Sequence, residues 1–394
     1  LVLFVLSALA ILLAALSRLT APSAQTRTAL ELMRADDLPD GENAFGLLWT
    51  LDRDVPDDEI DSVVRADAAQ VASWKDNWGP GEPIVEEQEW RRNAYPDLSL
   101  APEDRVLFCE TDATTPCLEH VQAAAEDVVL AVERNAPLLD RIRRLRDTQV
   151  LRNAMPPKLM APMPSFNTGE LPMTAHALAF VTGNEQEAVA ETCQDLAAWR
   201  RLALNTDMLV GAMVGIAYAG RGYGELLAEM LAEWPVDRPL PAVCEFALLP
   251  MADADLMLCH PLRGEFRLQE AVFGANAVAW EGDSWLGRLA RVLFYKRDAT
   301  IALAAEQLAP YCTAERPGRV DYEWPETRSE VFLRWPCVGN PLGCALTSQA
   351  HGGVYGNYAD RMLDFDARLR LLRTLVWMRT QAEDGARADA LIER

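Results

Sequence analysis

The sequence predicts an all-α protein, with an N-terminal membrane helix followed by a multi-helix array of antiparallel helical hairpins. Three observations lead there. Leu1 to Leu16 is apolar and carries no charge. Beyond it, apolar residues recur at three- and four-residue steps, which is the period of a helix face. No stretch shows the two-residue alternation of a half-buried strand.

The first stretch sets the compartment. As a helix, Leu1–Leu16 spans about 24 Å, short of the ~30 Å hydrocarbon core. It reads as a membrane anchor or signal segment over residues 1–17, continued a few residues upstream. A cleavage site at Ala24 is a poor match, because Pro22 occupies the position two residues earlier. The expectation is therefore an uncleaved inner-membrane anchor with a periplasmic domain. Arg18, Arg27 and Arg34 lie on the same side as Asp36, Asp37 and Asp40, so charge supports this orientation only weakly.

Composition narrows the classes of function. The chain has 394 residues, half of them hydrophobic, and a net charge of −22. That apolar share predicts a real core rather than disorder. The negative charge excludes a nucleic-acid surface and argues against flat adsorption on anionic lipid. The basic residues are nearly all Arg; the lysines are Lys75, Lys158 and Lys296. The eight cysteines, in an exported chain, suggest disulfides. Cys109 with Cys117 and Cys337 with Cys344 enclose short Pro-containing loops, each link contributing about 2–3 kcal/mol in the chain-entropy model. Cys193, Cys244, Cys259 and Cys312 have no evident connectivity. No metal and no cofactor are expected: there is no Cys-x-x-Cys, and only Cys259-His260 sets two candidate ligands side by side.

In chain order, residues 18–40 are polar and read as a linker with a short helix near Thr28–Arg34. An N-terminal helical part covers 41–154. Glu42–Leu51 is a short apolar helix. Pro56 followed by Asp57, Asp58 and Glu59 marks a helix start, with acids at the positive end of the dipole. Ile60, Val63, Val64, Ala68, Val71 and Trp74 give its apolar face. Residues 77–105 are loop-like. Thr115-Pro116 opens a helix carrying Val121, Ala125, Val128 and Val132, and Asn135-Ala136-Pro137 restarts it. Leu138, Ile142 and Leu145 then alternate with Arg141, Arg143, Arg144 and Arg146, the chain's main basic cluster. This is a solvated face paired with acids or, in the sharper reading, a site where Arg141 and Arg144 meet an anionic partner or lipid headgroup.

Residues 155–173 hold five prolines, so they form a connection rather than a helix, and the best internal boundary. Met155, Met160, Met163 and Met173 read as apolar lining of a groove. Cu(I) ligation would call for flanking His or Met-x-x-Met repeats. A C-terminal helical part covers 174–380. Ala175–Thr182 ends at Gly183, and Asn184 with Glu187 makes a capping-box-like start. Val189, Cys193, Leu196 and Ala197 face inward from the helix that follows. Met208–Ala219 is apolar all round and reads as the central buried helix, with Gly211 and Gly215 allowing close approach. Gly220–Gly224 is the turn after it, and Glu225–Trp234 a further helix. Helices follow at Cys244–Leu249, Ala252–Leu262, Arg267–Phe273, Trp285–Tyr295 and Thr300–Gln307. Tyr358–Thr380 is the last, with Met362, Phe365, Leu369, Leu372 and Val376 in a stripe. Residues 381–394 read as a frayed tail.

The densest polar motif is His260-Pro-Leu-Arg263-Gly-Glu265-Phe-Arg267. Arg263 and Arg267 stand four apart on one helix face and could bind an anionic group. Glu265 could serve as a general base with His260 nearby. The plainer reading is a structural Arg–Glu network. Ser348 and His351 lack the Gly-x-Ser-x-Gly setting of a nucleophile.

Glu42-Asn-Ala-Phe45, Leu262-Arg-Gly-Glu-Phe-Arg267, Asn340-Pro-Leu-Gly343 and the Tyr358…Arg361…Asp364-Phe-Asp366 run resemble a group of uncharacterised, membrane-anchored, mostly helical bacterial envelope proteins. The resemblance covers roughly residues 40–380. It implies an exported helical domain with a two-cysteine loop before a long helix, and it supplies no catalytic residues. The sequence thus leads to a periplasmic protein–protein interaction module, held in the membrane through residues 1–16 and bound to another envelope protein. The alternatives are an envelope hydrolase with a Glu265/His260 site between the two helical parts, and a lipid-binding protein that uses the apolar helix at 208–219.

Overall fold

The computed structural model describes residues 12–13, 16–17, 19, 21–74, 89–111, 113–235, 238–274, 285–313, 334–351 and 354–382. It is 69% helix with no strands among the described residues, so the all-α expectation holds. Most of the predicted anchor and residues 383–394 of the expected frayed tail lie outside the described residues; Gln381 and Ala382 instead continue the last helix. Within the anchor, Leu12, Leu13 and Leu16 are exposed. Among the described residues no helix is long and apolar enough to cross a membrane.

The stretch read as a linker is held against the body. Ser17 is buried; its hydroxyl donates to the Trp335 carbonyl at 2.6 Å and accepts from the Gly339 amide at 3.2 Å. Helix α1 (Ala24–Arg34) starts earlier than the sequence suggested because the Ser23 hydroxyl caps it, accepting from the Thr26 amide. It buries Ala29 and Met33 in the core. Helix α2 (Ala44–Trp49) is capped by Asn43, and α3 (Asp57–Ser73) begins at Pro56 with three acids in its first turn, as expected. Helices α4 (Cys117–Ala123), α5 (Ala125–Arg134) and α6 (Ala136–Arg143) then lead into a 3₁₀ turn at Arg144–Asp147.

Helices α7 (Pro172–Val181) and α8 (Glu185–Leu204) form a hairpin. Its turn rests on Gly183, which adopts φ +94°; the Asn184 amide donates to Ala179 and the Gly183 amide to Phe180. That is the Schellman pattern, and it needs a residue without Cβ. The Asn184 side chain makes no capping bond, so the expected capping box is absent.

Beyond that hairpin, the helices gather round hubs instead of stacking in a row. The first hub is α8, which touches α7, α9 (Leu209–Ala217), α10 (Gly224–Glu233) and α11 (Ala242–Ala247). The all-apolar pattern at Met208–Ala219 assigns that central place to α9. In fact only one side of α9 is buried and Val210 is exposed, because Gly215 presses against Ala203 and Trp199 of α8. The Gly220–Gly224 stretch is not a turn either. It is a π-helical segment, Tyr218–Tyr223, through which α9 continues into α10. Gly220 lies against Phe365 and Gly222 against Met173. The buried Tyr218 and Tyr223 hydroxyls donate to the carbonyls of Phe166 and Gly169.

The second hub is α14 (Arg297–Leu308), which packs on α1, α12 (Cys259–Gly274) and α15 (Pro341–His351). Helix α13 (Trp285–Phe294) precedes it. The long α16 (Val354–Ala382) lies over α9 and α10 and buries Met362, Phe365, Leu369 and Leu372 of the expected stripe. One hydrophobic cluster runs from Ala29 to Leu372 and takes in Met155, Phe166, Leu171 and Met173. Residues 155–173 thus contribute side chains to that cluster.

All eight cysteines pair. Cys109–Cys117 and Cys337–Cys344 close the short loops as expected, and Cys193–Cys244 and Cys259–Cys312 close long ones with sequence separations of 51 and 53. In the chain-entropy model each long link contributes about 4 kcal/mol, against about 2–3 for each short one. Replacing Cys193 and Cys244 together by Ala is therefore expected to lower the urea midpoint clearly more than replacing Cys109 and Cys117. Equilibrium unfolding of the two double variants checks this.

Candidate binding groove

The predicted catalytic pair is not assembled. His260 faces α1: its Nδ1 lies 3.0 Å from Asp37 Oδ1, and burial holds the imidazole below its usual range against the opposing pull of Asp37. Arg263 binds the same Asp37 and donates to the Leu32 carbonyl, so both residues fasten the end of α1 to α12. Arg267 pairs with Asp207 at 2.6 Å. No hydrogen bond or ion pair joins Glu265 to His260 among the described residues. Cys259 is taken by its disulfide and offers no metal ligand. The His351 side chain is outside the described residues.

The arginine cluster also separates. Arg141 is buried and donates to the carbonyls of Val55 and Thr50, which closes it to any ligand. Arg144 pairs with Asp57 at 2.5 Å on the surface. Arg146, read as part of a solvated face, enters the core. Its Nε and Nη2 grip Asp195 at 2.5 and 2.9 Å and its Nη1 reaches Glu191. His176 Nε2 contacts the same Asp195 at 2.6 Å. Burial pushes the Asp195 carboxyl up, but its bonds to Arg146 and His176 outweigh this and leave it below the ordinary range.

Glu265 has a different environment. It lies half-buried in a groove of about 470 Å³ between the 155–163 segment on one side and Met208–Val210 with α12 on the other. Met155, Leu159, Met163, Met208, Leu209 and Val210 supply the apolar lining, and Leu159 and Met163 are exposed. Met155 and Met163 thus line a groove as the sequence suggested; Met173 belongs to the core. Each wall is fixed. Lys158 donates to the carbonyls of Ala72 and Trp74 at the end of α3. Asp207 accepts from the Asn153 amide at 2.7 Å and from Arg267. Gly264 lies so close to the Asp207 carbonyl that a Cβ there would collide with it. Arg152 at the rim binds Asp36.

Within this frame the Glu265 carboxylate has no hydrogen bond or ion pair among the described residues, and burial alone pushes its pKa up. The sequence placed Glu265 in a motif but gave no sign that the Met/Pro segment would face it. Such an arrangement can hold an apolar segment and accept a hydrogen bond from a donor within it. Comparison with family models, with curated proteins and with solved structures finds no match.

Two expectations follow. A carboxyl lowered in the fold stabilises above its unfolded pKa and loses that contribution as pH falls through the folded value. Asp195→Asn should therefore cost about 3–5 kcal/mol at pH 7, by leaving Arg146 buried without its counter-charge. The gap to the parent should close in acid, as the parent's own carboxylate is protonated. Glu265 has the opposite sign: a raised carboxyl contributes fully below its unfolded pKa and loses this as pH rises. Glu265→Gln should raise stability at pH 7 and leave it nearly unchanged near pH 4. Urea denaturation at pH 7 and pH 4 checks the second expectation, and extending the series below pH 3.8, the ordinary value of the carboxyl, checks the first.

Proposed function

We propose that the protein is a membrane-anchored, periplasmic helical module that binds another envelope protein, and that the Met/Pro groove is where it takes hold. The observation that carries this reading is the half-buried Glu265, which has no hydrogen bond or ion pair among the described residues, in a groove whose other charged lining residues, Arg152, Lys158, Asp207 and Arg267, are each bonded elsewhere. An ionised carboxylate there costs stability in the free chain, and a site kept at such a cost is a candidate for function. Methionine suits the task because its unbranched, polarisable side chain adapts to an irregular partner surface. A segment with apolar side chains and one N–H or cationic donor for Glu265 matches the lining.

Four disulfides fit an oxidising compartment. The uncharged Leu1–Leu16 run fits an anchor that holds the groove near the membrane. A hydrolase reading loses its dyad, since His260 turns to Asp37. A lipid-cavity reading loses its wall, since α9 packs on α8 through Gly215.

The test places a photo-reactive phenylalanine analogue at Leu159 or Val210 in the full chain in cells. One discrete protein adduct is expected from both positions, with none from the exposed Leu130. Glu265→Lys should reduce its yield by at least fivefold. Equal labelling from Leu130, or a yield indifferent to residue 265, would rule the groove out as the contact.

A further inference from the structure

Helix α13 leaves an apolar face uncovered. Trp285, Leu289, Val292 and Leu293 are 46 to 67% exposed and follow the spacing of a single helix face. Between Trp285 and Arg297 the sequence contains Arg288, Arg291, Lys296 and Arg297 and no acid, within a chain of net charge −22. Arg288 and Arg291 fall outside the apolar face in helical register.

This helix ends beside a cleft that takes in Ser17, the residue after the N-terminal apolar run. Lys296 borders a cleft of about 510 Å³ whose other lining includes Ser17, Ala21, Pro22 and Trp335. The Lys296 amide donates to Asn340 at 2.7 Å, and Ser17 is hydrogen-bonded to Trp335 and Gly339. Trp335, which lines the cleft, is exposed, as are Leu12, Leu13, Leu16 and Leu19 of the N-terminal stretch.

We infer that α13 lies in the plane of an anionic bilayer surface and forms a second attachment beside the anchor. Its Trp285–Leu293 face enters the headgroup–acyl boundary, and the charge of Arg288 and Arg291, with no acid in the helix, draws it to lipid phosphates. Exposed aromatic and aliphatic residues, with arginine as the only charged residue type in the helix, are the composition of an interfacial helix. The overall negative charge does not forbid this, because charges beyond about 8–10 Å are screened at physiological salt. The local, uniformly basic helix therefore decides the contact. The inference rests on the reading of residues 1–17 as an anchor, which puts this end of the molecule at the membrane.

The test uses the full chain in proteoliposomes, with a photo-reactive residue at Leu289 or Val292 and a control at Leu130. Vesicles contain either phosphatidylglycerol with phosphatidylethanolamine or phosphatidylcholine alone. Lipid adducts at 289 and 292 at least fivefold above the control are expected, falling severalfold in phosphatidylcholine. The double variant Arg288→Gln, Arg291→Gln should lose the preference for anionic lipid. Chains that float with the vesicles but yield no lipid adduct overturn the inference while leaving the anchor standing. Adducts between two copies of the chain overturn it in favour of self-association. Chains that fail to float in either vesicle overturn both readings.

Discussion

The buried grip of Arg146 on Asp195 holds together parts of the chain that the sequence separates. Arg146 sits in the 3₁₀ turn after α6, Asp195 on α8, and His176 on α7. The Arg146 and Asp195 side chains are only 13% and 6% exposed. Charges placed there are costly unless every lone pair and proton finds a partner. The geometry meets that demand: both carboxylate oxygens accept from the guanidinium, and one of them also contacts His176. Arg201 adds a clamp, donating to the carbonyls of Arg146 and Thr148. Hydrophobic contacts alone would tolerate sliding of these elements. A bidentate buried pair allows one register.

The groove follows from that register. Past Arg146 the chain runs along the end of α8, where the Leu151 amide donates to Asn205 and the Thr206 hydroxyl to Leu151. This delivers Asn153 to Asp207, and Asp207 in turn holds Arg267 of α12. Gly264 lets α12 approach to the Asp207 backbone, so the wall bearing Glu265 stands opposite the Met/Pro segment. Prolines keep that segment from forming a helix of its own, and Lys158 ties it to α3. An open, apolar channel is left because the chain on one side cannot coil and the helix on the other cannot come closer.

Much of this was legible locally. Helix faces, the starts at Pro56 and Pro137, the Gly183 stop and the two short disulfides each depend on residues near one another in sequence. Everything that depended on distant partners was not. Arg146 has the same local surroundings as Arg144, yet one enters the core and the other stays on the surface; the difference is Asp195, about fifty residues on. Gly220, Gly222 and Gly224 look like a turn by composition, whereas their lack of Cβ is used by Phe365, Met173 and Leu372 packing against a continuing helix. The long-loop disulfides were illegible for the same reason. Of the site, the methionine lining could be read from the prolines around it, but its pairing with Glu265 could not.

The short motifs of the chain meet at joints rather than at a reaction centre. Asn43 caps α2 while bonding the backbone of Arg152. Arg263 fastens α12 to the end of α1. Asn340, almost wholly buried, accepts from the Lys296 amide and donates to Thr300. Asp366 accepts from the Met251 amide and from Arg370. Each satisfies a backbone group or charge that would otherwise be buried without a partner, a cost of about 1–3 kcal/mol. Polar residues spent this way are unavailable for chemistry. Glu265 is left outside these joints, in a groove with Arg152, Lys158, Asp207 and Arg267, and has no hydrogen bond or ion pair among the described residues. That contrast separates side chains that serve the fold from one that makes no such bond.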